Sequence, residues 1–245
     1  MTFELLPVMD IMFHLYQKPR TPGRFQEYLK TLQGHTKGNL ALPITGFNPM
    51  AKEHALEKLT ELKQLSAEQV ITRALMELNT KLSGWKIKST FKVAFNLCDD
   101  LKGGWTNSFT SDYDSKFKIN ALIKRNFCVP VFWTSETYNT KKVMERTLEY
   151  CNRTIYWLSH PRPKTLEEHI LQEVAVARDV KTDTQSDFDI KTLKAFYQAN
   201  KDSTDYVTIF NFLYGDTATA SLGNNTLGIK ERFAGYRFAK WLASR

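Results

Sequence analysis

The stretch Asp99–Asn107, DDLKGGWTN, gathers more chemically useful side chains than any other in the chain. Two adjacent carboxylates, Asp99 and Asp100, can hold a divalent cation such as Mg²⁺, with water and substrate phosphate filling the remaining positions. Gly103 and Gly104 allow backbone N–H groups to face an anion, and Lys102 adds a point charge. Thr106 and Asn107 offer a hydroxyl and an amide to orient a ligand, and Trp105 a flat face on which a ring can stack. The same residues also make an ordinary aspartate-rich turn, with the carboxylates capping local N–H groups and the glycines permitting the bend. Neither GxxxxGK[ST] nor GxGxxG occurs, so the two best-defined phosphate-binding loops are absent.

Two other segments carry similar material. Thr134-Ser135-Glu136 adds a carboxylate that would complete a cluster with Asp99 and Asp100 or serve as a general base, together with Ser135, a ligand contact or the N-cap of the next helix. Thr45-Gly46-Phe47-Asn48 adds Asn48, a ligand-orienting amide or, with Pro49 after it, a helix N-cap. The expected catalytic set is therefore Asp99, Asp100 and Glu136. The expected ligand-binding set is Asn48, Lys102, Gly103, Gly104, Trp105, Thr106, Asn107 and Ser135, with Asp99 and Asp100 as the metal ligands.

The histidines, at 14, 35, 54, 160 and 169, form no HExxH, and the cysteines, at 98, 128 and 151, form no CxxC. His54 reads as a surface residue or as one aimed at the proposed cleft. Asp10/His14 and His169/Glu173 read as polar pairs one helical turn apart. Three cysteines cannot all pair within one chain, and Glu4 and Asp10 stand where a signal peptide carries basic residues, so a reduced, cytoplasmic setting is expected.

These segments need elements to position them. FKVAFNLC (91–98) alternates like a strand, and FCVPVFWT (127–134) reads as another, with Pro130 arguing for an edge position or a bulge. LALPITGF (40–47) is a third apolar run, too short for a helix, and Trp85–Lys88 a candidate fourth. Helical spacing covers 2–17, 23–33, the segment after Asn48-Pro49, 112–125, 137–158, 189–200, 204–214 and 227–243. Ser66-x-x-Gln69 and Thr165-x-x-Glu168 read as capping boxes that open two more. Strands alternating with helices predict an α/β fold: a short parallel sheet of three or more strands flanked by helices, with helical additions at both termini. The reading sets an α/β domain over 1–178 and a C-terminal helical segment over 187–245. In such sheets ligands bind beyond the carboxyl ends of the strands, where the three segments would converge.

The chain has 245 residues, 42% of them hydrophobic and 24% charged, which supports a sizeable core and excludes wholesale disorder. No apolar stretch reaches the length of a membrane span. The net charge of +8 is uneven: residues 81–160 hold 13 basic and 7 acidic side chains, whereas 181–245 hold 9 and 7. The expected partner is a small anionic ligand, phosphorylated compounds included. Nucleic acid is the alternative, met by the basic middle segment and by the terminal helix, where Lys230, Arg232, Arg237, Lys240 and Arg245 alternate with Phe233, Tyr236, Phe238 and Trp241.

Overall fold

The computed structural model describes residues 1–34, 39–101, 106–180 and 189–245. The chain divides into two compact units, Met1–Cys151 and Asn152–Arg245. The division falls between residues 151 and 152, and the sequence reading sets its own boundary between 178 and 187.

The first unit runs β1 (Thr2–Leu5), α1 (Met9–Gln17), α2 (Pro22–Gln33), α3 (Glu53–Gln64), α4 (Ala67–Lys81), β2 (Thr90–Val93), β3 (Asn96–Cys98), α5 (Ser108–Phe117), α6 (Asn120–Ile123), β4 (Phe127–Cys128), β5 (Val131–Trp133) and α7 (Thr140–Ser159). All strand pairs are parallel, in the orders β1-β2-β4 and β3-β5. Partners are 35 residues apart in both β2–β4 (Val93 with Cys128) and β3–β5 (Cys98 with Trp133). The second pair therefore continues the register of the first without a bulge. Lys92, Ala94 and Asn96 donate their N–H groups to the carbonyls of Asn126, Cys128 and Pro130 at 2.8, 3.1 and 2.8 Å. In this register the N–H of residue 130 would answer Ala94, and proline has none. The strand is interrupted where its sequence removes a donor, and it lies at the edge of the sheet, where that loss is tolerated.

The protein is thus a helix-rich mixed α/β fold whose sheet is smaller than expected. Several expectations fail. Residues 2–17 are not one helix: Thr2–Leu5 pairs with Thr90–Val93, and Pro7 pushes Leu6 out of helical geometry, so α1 starts only at Met9. The N-terminus therefore joins the sheet instead of forming a helical addition. Residues 40–47 are not a strand but an irregular plug. Ile44 and Phe47 are fully buried, and the Ile44 carbonyl accepts from the Tyr28 hydroxyl and from the Phe47 N–H. Apolarity here marks burial rather than ladder pairing. Trp85–Lys88 likewise stays outside the sheet.

Capping divides the same way. Ser66 has φ 53° and makes no side-chain cap. Its neighbour Glu68 reaches instead to the N–H groups of Val8 and Met9 (2.8 and 3.0 Å) and caps α1. Asn48-Pro49 opens no helix, because α3 begins at Glu53. The predicted 112–125 helix is two, α5 and α6.

The second unit holds the end of α7 followed by α8 (Leu166–Val180), α9 (Ile190–Asn200), α10 (Tyr206–Tyr214), α11 (Asp216–Ser221) and α12 (Ala234–Ala243). Thr165 and Glu168 form the expected capping box at 3.0 and 3.2 Å. The last helix starts at Ala234, not 227. Phe238 is buried against Tyr197 and Phe212 with ring centroids 5.1 and 5.5 Å away, and Trp241 stacks on Phe238. Glu173 pairs with Arg153 through two hydrogen bonds, of 2.8 and 2.6 Å, while His169 Nδ1 donates to the Thr165 carbonyl. Burial lowers the pKa of His169.

Candidate functional site at the strand ends

The three segments meet at the carboxyl ends of β3 and β5, with Asp99 as their common point. Asp99 is the residue after β3 and is only 4% exposed. Its Oδ2 accepts from Asn48 Nδ2 at 3.3 Å. Its Oδ1 is shared by His54 Nε2 (2.8 Å), the Leu101 N–H (3.1 Å) and the Thr134 hydroxyl (3.3 Å). Its carbonyl accepts from Thr106 Oγ1 at 2.8 Å. Each partner is delivered by the fold. Thr134 follows β5 in register with Asp99, and His54 sits in the first turn of α3. Asn48 is fixed because Tyr16 donates to its carbonyl (2.7 Å) and its own Oδ1 accepts the Met50 N–H (2.9 Å). Burial, and next the nearby Asp99 charge, hold the Tyr16 phenol neutral by raising its pKa.

Asp100 turns toward the neighbouring strand end. Its Oδ1 accepts from the Thr134 hydroxyl (3.1 Å) and the Ser135 N–H (2.9 Å), and its Oδ2 from Ser135 Oγ (2.6 Å). Ser135 therefore binds Asp100 rather than capping α7, whose first turn is capped by Asn139. Glu136 does not join the aspartates. Its carboxylate is held by Arg146 (2.8 Å), the Tyr138 hydroxyl (2.7 Å) and, at 3.5 Å, Lys142. Burial alone would raise its pKa, but Arg146 and these partners pull it below the ordinary range. Among the described residues no group of three or more His, Cys, Asp or Glu side chains could hold a metal ion. The oxygens of Asp99 and Asp100 already face hydrogen-bond donors, which a cation would have to displace. Asn107 is the N-cap of α5, accepting the Thr110 N–H at 3.1 Å. Lys102, Gly103, Gly104 and Trp105 lie outside the described residues, as does His35.

A cavity of about 300 Å³ opens beside this cluster. Asn96 and Cys98 of β3 form part of its wall, with Thr45, Gly46 and Thr106 from the converging loops and Ser111, Asp114 and Ser115 from one face of α5. Gly46 is required there: a Cβ on it would sit 2.5 Å from Cys98 Sγ and 2.8 Å from Asn96 Nδ2. Asn96 is 5% exposed, and its Oδ1 has no hydrogen-bond partner among the described residues. Burial, and then the aspartates nearby, push the Cys98 thiol well above its ordinary pKa, so it is a wall and not a nucleophile.

Chemically, the cluster offers an imidazole held at one nitrogen by a buried carboxylate, the arrangement used to orient a histidine for proton transfer. The cavity offers hydroxyls, an amide and the first turn of a helix. Comparison with known protein families, curated proteins and solved structures finds no match for this chain.

Sequence reasoning left two contributors in the background. The sequence favours a surface position for His54, and only the fold brings α3 onto Asp99. Asn96 stands inside an apolar strand, where a lone amide is the available signal, because such a buried group needs a partner. At least five of the 13 cations of the basic middle segment are held in ion pairs, while its excess of basic over acidic side chains remains. Lys116 pairs with Asp112, Lys118 with Asp114, Lys142 and Arg146 with Glu136, and Arg153 with Glu173.

Proposed function

We propose that the protein binds a small anionic ligand, phosphorylated compounds included, at the carboxyl ends of its parallel strands. The observation that carries this reading is the cavity's position. Cys98 at the end of β3, Thr106, and Ser111 in the first turn of α5 line it, together with Asn96 and Val131 at the starts of β3 and β5. Backbone N–H groups and the positive end of the helix dipole favour an anion at such a turn. Asp114, one turn further on, is neutralised by Lys118 at 2.7 Å and does not cancel that preference. In the sequence, Lys102, Gly103 and Gly104 fall between Leu101 and Thr106, two residues of this site, and would add a charge and further N–H groups. The reading needs no metal, since the donors around Asp99 and Asp100 do the work of holding them.

Thermal-shift titration of the full chain with inorganic phosphate and with phosphorylated small molecules tests this. Stabilisation is expected, about 2.7 kcal/mol when the ligand stands at 100 times its Kd, and Lys102→Ala is expected to weaken it. A response only to single-stranded RNA, falling steeply with salt, would replace this reading with nucleic-acid binding.

A further inference from the structure

We infer that the second unit carries a binding surface for single-stranded nucleic acid on the outer face of α12, independent of the strand-end site. Two observations meet there. The first is charge. Residues 227–245 hold five basic side chains and one acidic, whereas 181–226 hold four and six. The excess is therefore gathered on the last helix and the segment leading into it. Glu231, the one acid, pairs with Arg237 at 3.0 Å. Lys230 and Lys240 make no ion pair among the described residues. The Arg245 guanidinium lies 4.7 Å from the centroid of the Trp241 ring.

The second is the rings set among these cations. Ala234, Gly235, Phe238 and Ala239 are buried where α12 packs on α8, α9 and α10. Helical spacing then turns Phe233, Arg237 and Lys240 to the opposite side, with Tyr236 and Trp241 on its flanks. Phe233 has φ 57°, a left-handed backbone that is costly for a bulky residue, and it remains 39% exposed. Tyr214 meets its ring edge-on at 5.8 Å, and the Arg232 guanidinium lies 5.8 Å from its centroid. Glycine or asparagine would fit that backbone with less strain, so an open phenyl ring there suits an outside contact.

Rings and cations together select the occupant. An anionic membrane takes up the apolar face of a helix, but that of α12 is already buried within its own unit. An acidic peptide would answer the cations and leave the rings without a flat partner. A single strand answers both: its unpaired bases stack on rings while its phosphates meet the cations. A duplex keeps its base faces covered.

Fluorescence anisotropy of the full chain with a labelled 12-nucleotide oligouridine tests this. Binding is expected, and with four phosphates met by Lys230, Arg232, Lys240 and Arg245 the affinity should fall about fiftyfold between about 50 and 200 mM salt. Phe233→Asn, a residue that tolerates left-handed backbone, should weaken binding by about tenfold with the salt slope unchanged. Lys240→Glu removes no ion pair among the described residues and should fold; its slope should be shallower. Neither variant should alter the response to inorganic phosphate. The inference is overturned by any of four results: no binding at about 50 mM salt, equal affinity for a duplex of the same length, displacement by polyglutamate at matched charge, or wild-type affinity and slope in Lys240→Glu. The strand-end reading then stands or falls on its own phosphate titration.

Discussion

Asp99 in the first unit and Asp216 in the second are both aspartates that gather four hydrogen-bond donors, and they use them differently. Asp216 Oδ1 accepts the N–H groups of Leu227, Gly228 and Ile229 at 3.1–3.2 Å and Asn211 Nδ2 at 3.0 Å. Three of its donors are consecutive backbone groups of one loop, so the carboxylate closes that loop over α11. Asp99 draws one backbone N–H, from Leu101, and three side chains, from Asn48, His54 and Thr134, which come from three separate segments. One of those is an imidazole, and a cavity lies alongside. Backbone donors mark an acid used to fix the chain; side-chain donors from distant segments mark an acid used to fix other functional groups.

The largest expected effect lies on the structural side. Gly215 has φ +87°, and a Cβ there would stand 2.3 Å from the Glu231 carbonyl oxygen. Gly215→Ala must both adopt a disfavoured backbone and move the segment leading into α12, at a cost of about 3 kcal/mol or more. Urea unfolding measures it. A loss below about 1 kcal/mol would mean that the loop gives way easily and that Asp216 holds little.

The direct comparison follows. Asp216→Ala strands three backbone N–H groups and the Asn211 amide, and should destabilise by about 2 kcal/mol. Asp99→Asn keeps an acceptor for Leu101 and Thr134 and should cost less than about 1 kcal/mol, yet it should change phosphate binding, which Asp216→Ala should not do once folded protein is compared. Equal stability losses with no change in binding from either variant would erase the distinction between the two acids.

The sequence disclosed the strand-end cluster better than it disclosed the elements around it. The runs 91–98 and 127–134 announce themselves by alternation, and Pro130 by its missing donor, because both signals are local. The 40–47 plug has a strand's composition, since burial selects apolar residues with or without a ladder partner. Thr2–Leu5 becomes a strand only because Thr90–Val93 lies beside it. Thr165 and Ser66 show the limit most plainly. Both open a capping-box pattern, but Ser66 is held in a left-handed backbone and makes no side-chain cap, and its neighbour Glu68, outside the box, caps the start of α1, 60 residues away in sequence. The convergence of Asp99 and Asp100 with Thr134 and Ser135 follows from a general property of parallel sheets, whereas Asn48 arrives from the plug, which is no strand. The seclusion of Glu136 behind Arg146 does not follow from that property, because it depends on a helix ten residues further along.

Glu136 supplies the smallest test, and it decides to which side of the comparison a third acid belongs. It sits at a strand end like Asp99, but its partners Arg146, Tyr138 and Lys142 all come from the following turn and α7, as befits a structural acid. Its pKa in the folded protein lies below the ordinary 4.5, because Arg146 and the other donors outweigh burial. A carboxyl whose pKa is depressed by folding contributes its stability in full above that ordinary value and loses it as pH falls through the folded value. Wild-type protein should therefore exceed Glu136→Gln in stability at pH 7 by on the order of 1 kcal/mol or less, and the gap should close as the pH drops below 4.5. Other acids titrate in both proteins alike, so the difference between the two urea-unfolding profiles isolates this one carboxylate. A gap that stays constant from pH 7 to pH 3 would show that Arg146 does not favour the ionised form. Glu136 would then be available to the site as a proton-exchanging acid, alongside Asp99 rather than Asp216.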